Sequence, residues 1–265
     1  MKNFLYRLVV VAGFFAAASC SSDNDSVPAI SGNGSLILEF DNVYGADDLA
    51  LGQIQSANSE GESLNISQLK YIVSNIVLTK SDGTTYVYPK SDSYFIVDET
   101  DEETSELLLT DVPAGDYVSV SFGIGIDEQQ YALGLDVLPE FALLAQNEGL
   151  LGDWADGFTQ FYMSGNFSSA TIAQTPFDVS VGSNQSEFNY VSVNLTLPQQ
   201  ALVRTTITPE VHIFADASKV LDGINALPLE SHVSGDSANV SDETSILQIS
   251  TNIESMFQVN HVHND

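Results

Sequence analysis

From Ser35 onward, apolar and polar residues alternate with a period of two over short runs, each closed by turn residues. Leu36, Leu38 and Phe40 alternate with Ile37, Glu39 and Asp41, which predicts a first strand with one buried face. Residues 69–80 form a longer extended segment, and the Asp82-Gly83 pair behind it fits a tight hairpin turn into a strand over 85–88. Another short strand is expected over 94–97. Pro113 and Gly115 mark a turn, since proline presets φ and glycine allows it to be positive. Val118, Val120, Phe122, Ile124 and Ile126 then define one buried face, and Val191, Val193, Leu195 and Leu197 another, with Pro198 expected to close that strand. A late strand is expected over 211–214. Helical spacing is confined to 139–147, a turn at 216–222, and a stretch from Ile246 through Ile249, Ile253 and Met256. The pattern predicts an all-β fold: an antiparallel β-sandwich with a few short loop helices and no internal repeat.

The N-terminus reads differently. Lys2 and Arg7 precede an apolar or small run from Leu8 to Ala18, too short to span a bilayer comfortably, and Ala17-Ala18-Ser19-Cys20 follows at once. This arrangement resembles the lipobox of bacterial lipoproteins, with the chain's single cysteine where acylation requires it. Residues 1–19 are expected to be a lipoprotein signal peptide. Residues 20–34 would be the lipidated Cys20 and a polar, flexible tether, and 35–265 the sandwich domain. The acidic stretch after Cys20 resembles a surface-export signal of outer-membrane lipoproteins. An outer-membrane protein facing the periplasm or the cell surface is expected, held to the membrane by its lipid.

Charge narrows the partners. Seven basic residues against 36 acidic ones give a formal charge of −29, which leaves too few cations to neutralise a nucleic-acid backbone. No Gly-x-Ser-x-Gly elbow, phosphate loop or His-Glu-x-x-His is present, and the reading is of a binding protein, not an enzyme.

Leu38-Glu39-Phe40-Asp41, residues 66–78 followed by Asp82-Gly83, and Val112-Pro113-Ala114-Gly115-Asp116-Tyr117 leading to Phe122 and Asp127 together resemble the MbnP-like family. Trp154-Ala155-Asp156-Gly157-Phe158 stands where that family carries Trp-x-x-Gly-Tyr, and Phe257 to His263 resembles its closing Phe…His-x-His. The resemblance implies a β-sandwich that binds copper outside the cytoplasm, in some members through histidines and a kynurenine made from the motif tryptophan by a diheme peroxidase partner. The family pattern has a histidine after the first-strand Phe-Asp, where this chain has Asn42, and another before an apolar-Gly pair, where it has Ser180.

Copper(I) prefers imidazole, thioether and thiolate. With no thiolate left after lipidation, the candidate metal ligands are His261, His263, Trp154 and Met163, with Met256 in the inventory. His261 and His263 are two apart, which puts both on one face if the C-terminal tail is extended; a frayed tail is the alternative. His212, between Val211 and Ile213, points off the apolar side of its strand and reads as a surface or hydrogen-bonded residue, and His232 has no neighbouring ligand type. The acidic run from Asp98 to Glu103 lacks a calcium-loop pattern and reads as a solvated loop, so calcium is the weaker cofactor. The rival reading is a surface lipoprotein for adhesion or glycan binding without a metal, using aromatics such as Phe158, Phe161, Tyr162 and Phe167.

Overall fold

The alternation in residues 36–41 forms the middle of β1 (Asn33–Tyr44), whose Leu36, Leu38 and Phe40 are buried while Ile37, Glu39 and Asp41 face the other way. The structure, a computed structural model, describes residues 30–152, 157–183 and 188–265. The signal peptide, Cys20, most of the tether and Trp154 lie outside the described residues.

Two sheets form the sandwich. The smaller has five strands in the order β14 (Phe257–His263), β11 (Glu210–Asp216), β1 and β2 (Asp47–Asp48), with β6 (Glu106–Pro113) also paired to β1. The larger is built around the 18-residue β3 (Ser63–Lys80), which pairs with β4 (Thr85–Val87), β5 (Tyr94–Asp98), β7 (Gly115–Ile124) and β8 (Phe158–Ser168). Beyond β8 the sheet continues through β9 (Thr175–Ser183) and β13 (Ser237–Val240) to β12 (Val233–Ser234). Beyond β7 it ends at β10 (Val191–Val203).

Most pairs are antiparallel, as the alternation implies, but β1 with β11 and β9 with β13 are parallel. Strand direction is set by the connection between partners, and the chain between β1 and β11 passes through β3, β4, β5, β7, β8, β9 and β10 of the larger sheet. The sequence pattern does not predict β6, and one local expectation is corrected. Leu107-Leu108-Leu109 hides the alternation of β6, in which Leu107 and Leu109 are buried and Leu108 is exposed. The strand starting at Val191 does not end at Pro198: β10 runs to Val203, and Pro198 falls in an irregular stretch between Thr196 and Ala201 where no ladder N–H is needed.

The main core lies between the sheets and centres on aromatic contacts: Phe40 meets Phe122 at 5.3 Å and Phe257 at 6.1 Å, both edge-on, and Phe257 meets Tyr71 at 5.7 Å. A second core lies on the other face of the larger sheet. There Ile72, Ile96, Ile126 and Phe158 are covered by α1 (Glu128–Ala132) and α2 (Pro139–Asn147), whose Phe141 and Ala145 are buried. α3 (Ser218–Asp222) and α4 (Glu243–Glu254) close one end, tied by Asn252, whose Nδ2 donates to the carbonyls of Val220 (3.0 Å) and Asn225 (2.8 Å). No helix among the described residues is long and apolar enough to cross a membrane.

Candidate metal centre

The outward face of the smaller sheet carries two cross-strand rows. Glu106, Glu39, His212 and His261 occupy opposed positions on β6, β1, β11 and β14; in the next row stand Leu108, Ile37, Glu210 and His263. Residues directly opposed on one face of a sheet have neighbouring side chains. These rows therefore bring three imidazoles and the carboxylates of Glu39, Glu106 and Glu210 to one sheet face.

His261 and His263 reach that face through an irregularity. In an unbroken strand they would share the inward face of Phe257 and Val259. Instead, the ladder between β11 and β14 shifts between His212 and Ile213, so that His261 pairs with His212 while Val259 pairs with Ile213. The extra residue, Asn260, forms a bulge, and Val262 takes the buried side while His261 and His263 turn outward.

The three rings converge. His261 Nε2 lies 3.0 Å from His263 Nε2, and the rings of His212 and His261 stack at 4.0 Å between centroids. The ring of His263 stands nearly perpendicular to both, at 4.6 Å from His261 and 5.1 Å from His212. One nitrogen from each of the three falls within 4.8 Å of the others. Three imidazole nitrogens on one ion, each at about 2.0–2.1 Å, are separated by roughly 3.3–3.6 Å, so the set could hold an ion once the stacked rings of His212 and His261 tilt to aim their in-plane lone pairs at one point.

Two carboxylates flank it. Glu39 Oε2 contacts His212 Nδ1, and Glu210 Oε2 lies 3.8 Å from His212 Nε2. His212 Nε2 is buried and has no hydrogen-bond partner among the described residues, and Glu210 is the carboxylate beside it. Burial pushes the Glu39 carboxyl up, against the attraction of His212 and with the repulsion of Glu210. Loss of hydration, then the charges of His212 and His263, hold His261 below its usual value. A neutral His261 presents a lone pair.

Of the residues singled out in the sequence, His261 and His263 are brought together in a tail that is a paired strand and not a frayed end. His212, expected to be a surface or hydrogen-bonded residue, stands between them and the carboxylates. His232 is elsewhere, its Nδ1 3.7 Å from Asp242 Oδ2. Met163 and Met256 are buried in the main core, on the opposite side of the smaller sheet from the imidazoles, where their thioethers do not reach the cluster. Phe158, Phe161 and Phe167 are buried as well and offer no exposed stacking strip; Tyr162 is half-buried against the second core. The acidic run is not simply solvated. Asp98 is buried and bound to Lys70 at 2.8 Å, Glu99 accepts a hydrogen bond from Asn42, and Asp101 caps a short turn.

A family model described as MbnP matches residues 33–259. The chain belongs to the MbnP family. A solved structure, MbnP from Methylosinus trichosporium, is similar at 11% identity over 74% of this chain and 80% of that chain, with a TM-score of 0.49. No curated protein matches. The stretch matched to the MbnP family stops short of His261 and His263, so those two imidazoles lie beyond it.

At the two positions where the MbnP-like pattern carries histidine, the geometry leaves no alternative metal site. Asn42 points between the sheets with both ends of its amide engaged: Nδ2 donates to Glu99 Oε2 at 2.9 Å and Oδ1 accepts from the Tyr71 hydroxyl at 3.0 Å. Ser180 alternates with the buried Val179 and Val181 and lies on the far face of the larger sheet, opposite Tyr162. The two positions do not converge.

Proposed function

We propose that this protein is a lipid-anchored, extracytoplasmic copper-binding member of the MbnP family, which holds Cu(I) on His212, His261 and His263. The observation that carries the reading is the grouping of three imidazoles on an outward sheet face, with the buried Nε2 of His212 lacking a hydrogen-bond partner among the described residues. Unpaired buried polar atoms are costly, and a cation among them removes that cost. Imidazole donors without a thiolate suit Cu(I) or a borderline ion, and a chain with a charge of −29 draws cations toward its surface. Trp154 lies outside the described residues, and the reading rests on the three imidazoles alone.

The anchor follows from the lipobox. Cys20 precedes the first residue of β1 by 13 positions, which allows a reach of about 45 Å from the membrane surface. The glycan-binding alternative is weakened because Phe158, Phe161 and Phe167 are core residues.

The test is an anaerobic titration of the full chain with Cu(I) against a chromophoric chelator. The expected result is one ion bound per chain, lost in the His212→Ala variant. Retention of wild-type affinity by that variant would overturn the three-imidazole site.

A further inference from the structure

Glu210 has no side-chain partner among the described residues other than His212. It stands two positions before His212 on β11 and directly opposite His263 on β14, so its carboxylate and the three imidazoles share one face. Two ligand atoms on one ion, each at about 2.0–2.2 Å, are separated by at most roughly 4.2 Å. The 3.8 Å between Glu210 Oε2 and His212 Nε2 falls within that limit.

The other carboxylate is placed for a different task. Glu39 lies against Nδ1 of the His212 ring, where it favours a proton on Nδ1 and leaves the Nε2 lone pair on the side of Glu210. Glu39 is thus a positioning residue, and Glu210 is the carboxylate on the ligand side.

We infer that Glu210 completes a set of three nitrogens and one oxygen that binds Cu(II), so that the site which takes Cu(I) on imidazoles alone also takes the divalent ion with the carboxylate engaged. This rests on the three-imidazole reading above. The chemical ground is donor hardness: a carboxylate adds charge and a hard oxygen that a divalent cation uses, and three imidazoles already satisfy Cu(I).

The experiment loads the full chain separately with Cu(II) in air and with Cu(I) anaerobically, for wild type, Glu210→Gln and Glu39→Gln. Affinity is read by chelator competition in both cases, and the Cu(II) samples are also read by electron paramagnetic resonance. Glu210→Gln is expected to weaken Cu(II) by about tenfold or more and to change its hyperfine splitting, with Cu(I) affinity within about twofold of wild type. Glu39→Gln is expected to weaken both ions by about tenfold, as loss of an outer-shell partner does, with the Cu(II) spectrum preserved. An unchanged Cu(II) spectrum and affinity in Glu210→Gln would overturn the inference. So would an equal loss for both ions, which would make Glu210 a nearby charge and not a ligand. Failure of wild type to take up Cu(I) would instead overturn the three-imidazole reading, and the Cu(II) spectra would still report whether Glu210 is a ligand.

Discussion

His261 on β14 lies directly opposite His212 on β11 because Asn260 is squeezed out of the ladder between them. The bulge reconciles two demands: Val259 and Val262 must both be buried, yet they are an odd number of positions apart. Deleting Asn260 would leave Val259, His261, Val262 and His263 in regular alternation with the histidines still outward. The deletion variant is therefore expected to keep its metal stoichiometry in a chelator titration. Loss of binding on deletion would show that the bulge shapes the site and does not merely accommodate a spare residue.

Asn42 occupies a position where the family pattern suggests a ligand, yet here it bridges Tyr71 and Glu99. Replacing it with alanine strands a buried hydroxyl and a half-buried carboxylate whose pKa burial already raises. Asn42→Ala is expected to cost about 2 kcal/mol in denaturant unfolding and to leave the metal titration unchanged. A loss of metal with no loss of stability would restore Asn42 as part of the centre.

Lys70 ties β3 to Asp98 and to Glu148 after α2, at 2.8 Å each. Burial is the largest influence on Asp98 and opposes its ionisation, but the hydrogen bonds from Lys70 and Thr100 and the Lys70 charge together outweigh it, and the carboxyl sits below its ordinary value. A depressed acid stabilises the fold above its unfolded value, near 3.8, and loses that contribution as pH falls through the lower folded value. Lys70→Met is expected to cost about 3 kcal/mol at neutral pH, because Asp98 is left buried without its partner. The acid limb of the variant's stability profile should also lose the part due to Asp98. Equal acid sensitivity in wild type and variant would contradict this.

Gln160 is fully buried, with neither amide atom hydrogen-bonded among the described residues, and it packs against Gly125 at φ +105°, where a Cβ would meet Gln160 Oε1 at 1.7 Å. Gln160→Leu is expected to be neutral or to stabilise by about 1 kcal/mol, since an apolar group removes the unsatisfied polar atoms. Gly125→Ala should destabilise by about 2 kcal/mol through its backbone conformation and the collision. Both are read from denaturant midpoints, and a destabilising Gln160→Leu would imply an ordered polar partner for the amide.

Much of the sandwich was legible because alternation reports burial directly, as in β1 and the first half of β10; in β7 it held for Val120, Phe122 and Ile124, whereas Tyr117 is buried in place of Val118 and Ile126 turns to the second core. Helix α2 matched its expected span, with Pro139 in the first turn where a missing N–H costs nothing. The parallel pairing of β1 with β11 was not legible, since partners 170 or so positions apart leave no local trace. The same gap explains His212. Its outward direction was readable from Val211 and Ile213, but the ligands that give it meaning come from β14 and β1. The spacing of His261 and His263 was the one signal pointing to the centre, and it pointed correctly only because of a bulge that the sequence does not announce.

The central claim is that three of the four histidines, and not the C-terminal pair alone, hold one copper ion. The most direct measurement follows the ring nitrogens of all four by nuclear magnetic resonance as one equivalent of Cu(I), which is diamagnetic, is added anaerobically to the full chain in detergent. The account predicts that His212, His261 and His263 shift together and saturate at one equivalent while His232 stays in place. A response confined to His261 and His263, or none that saturates at one equivalent, would contradict it.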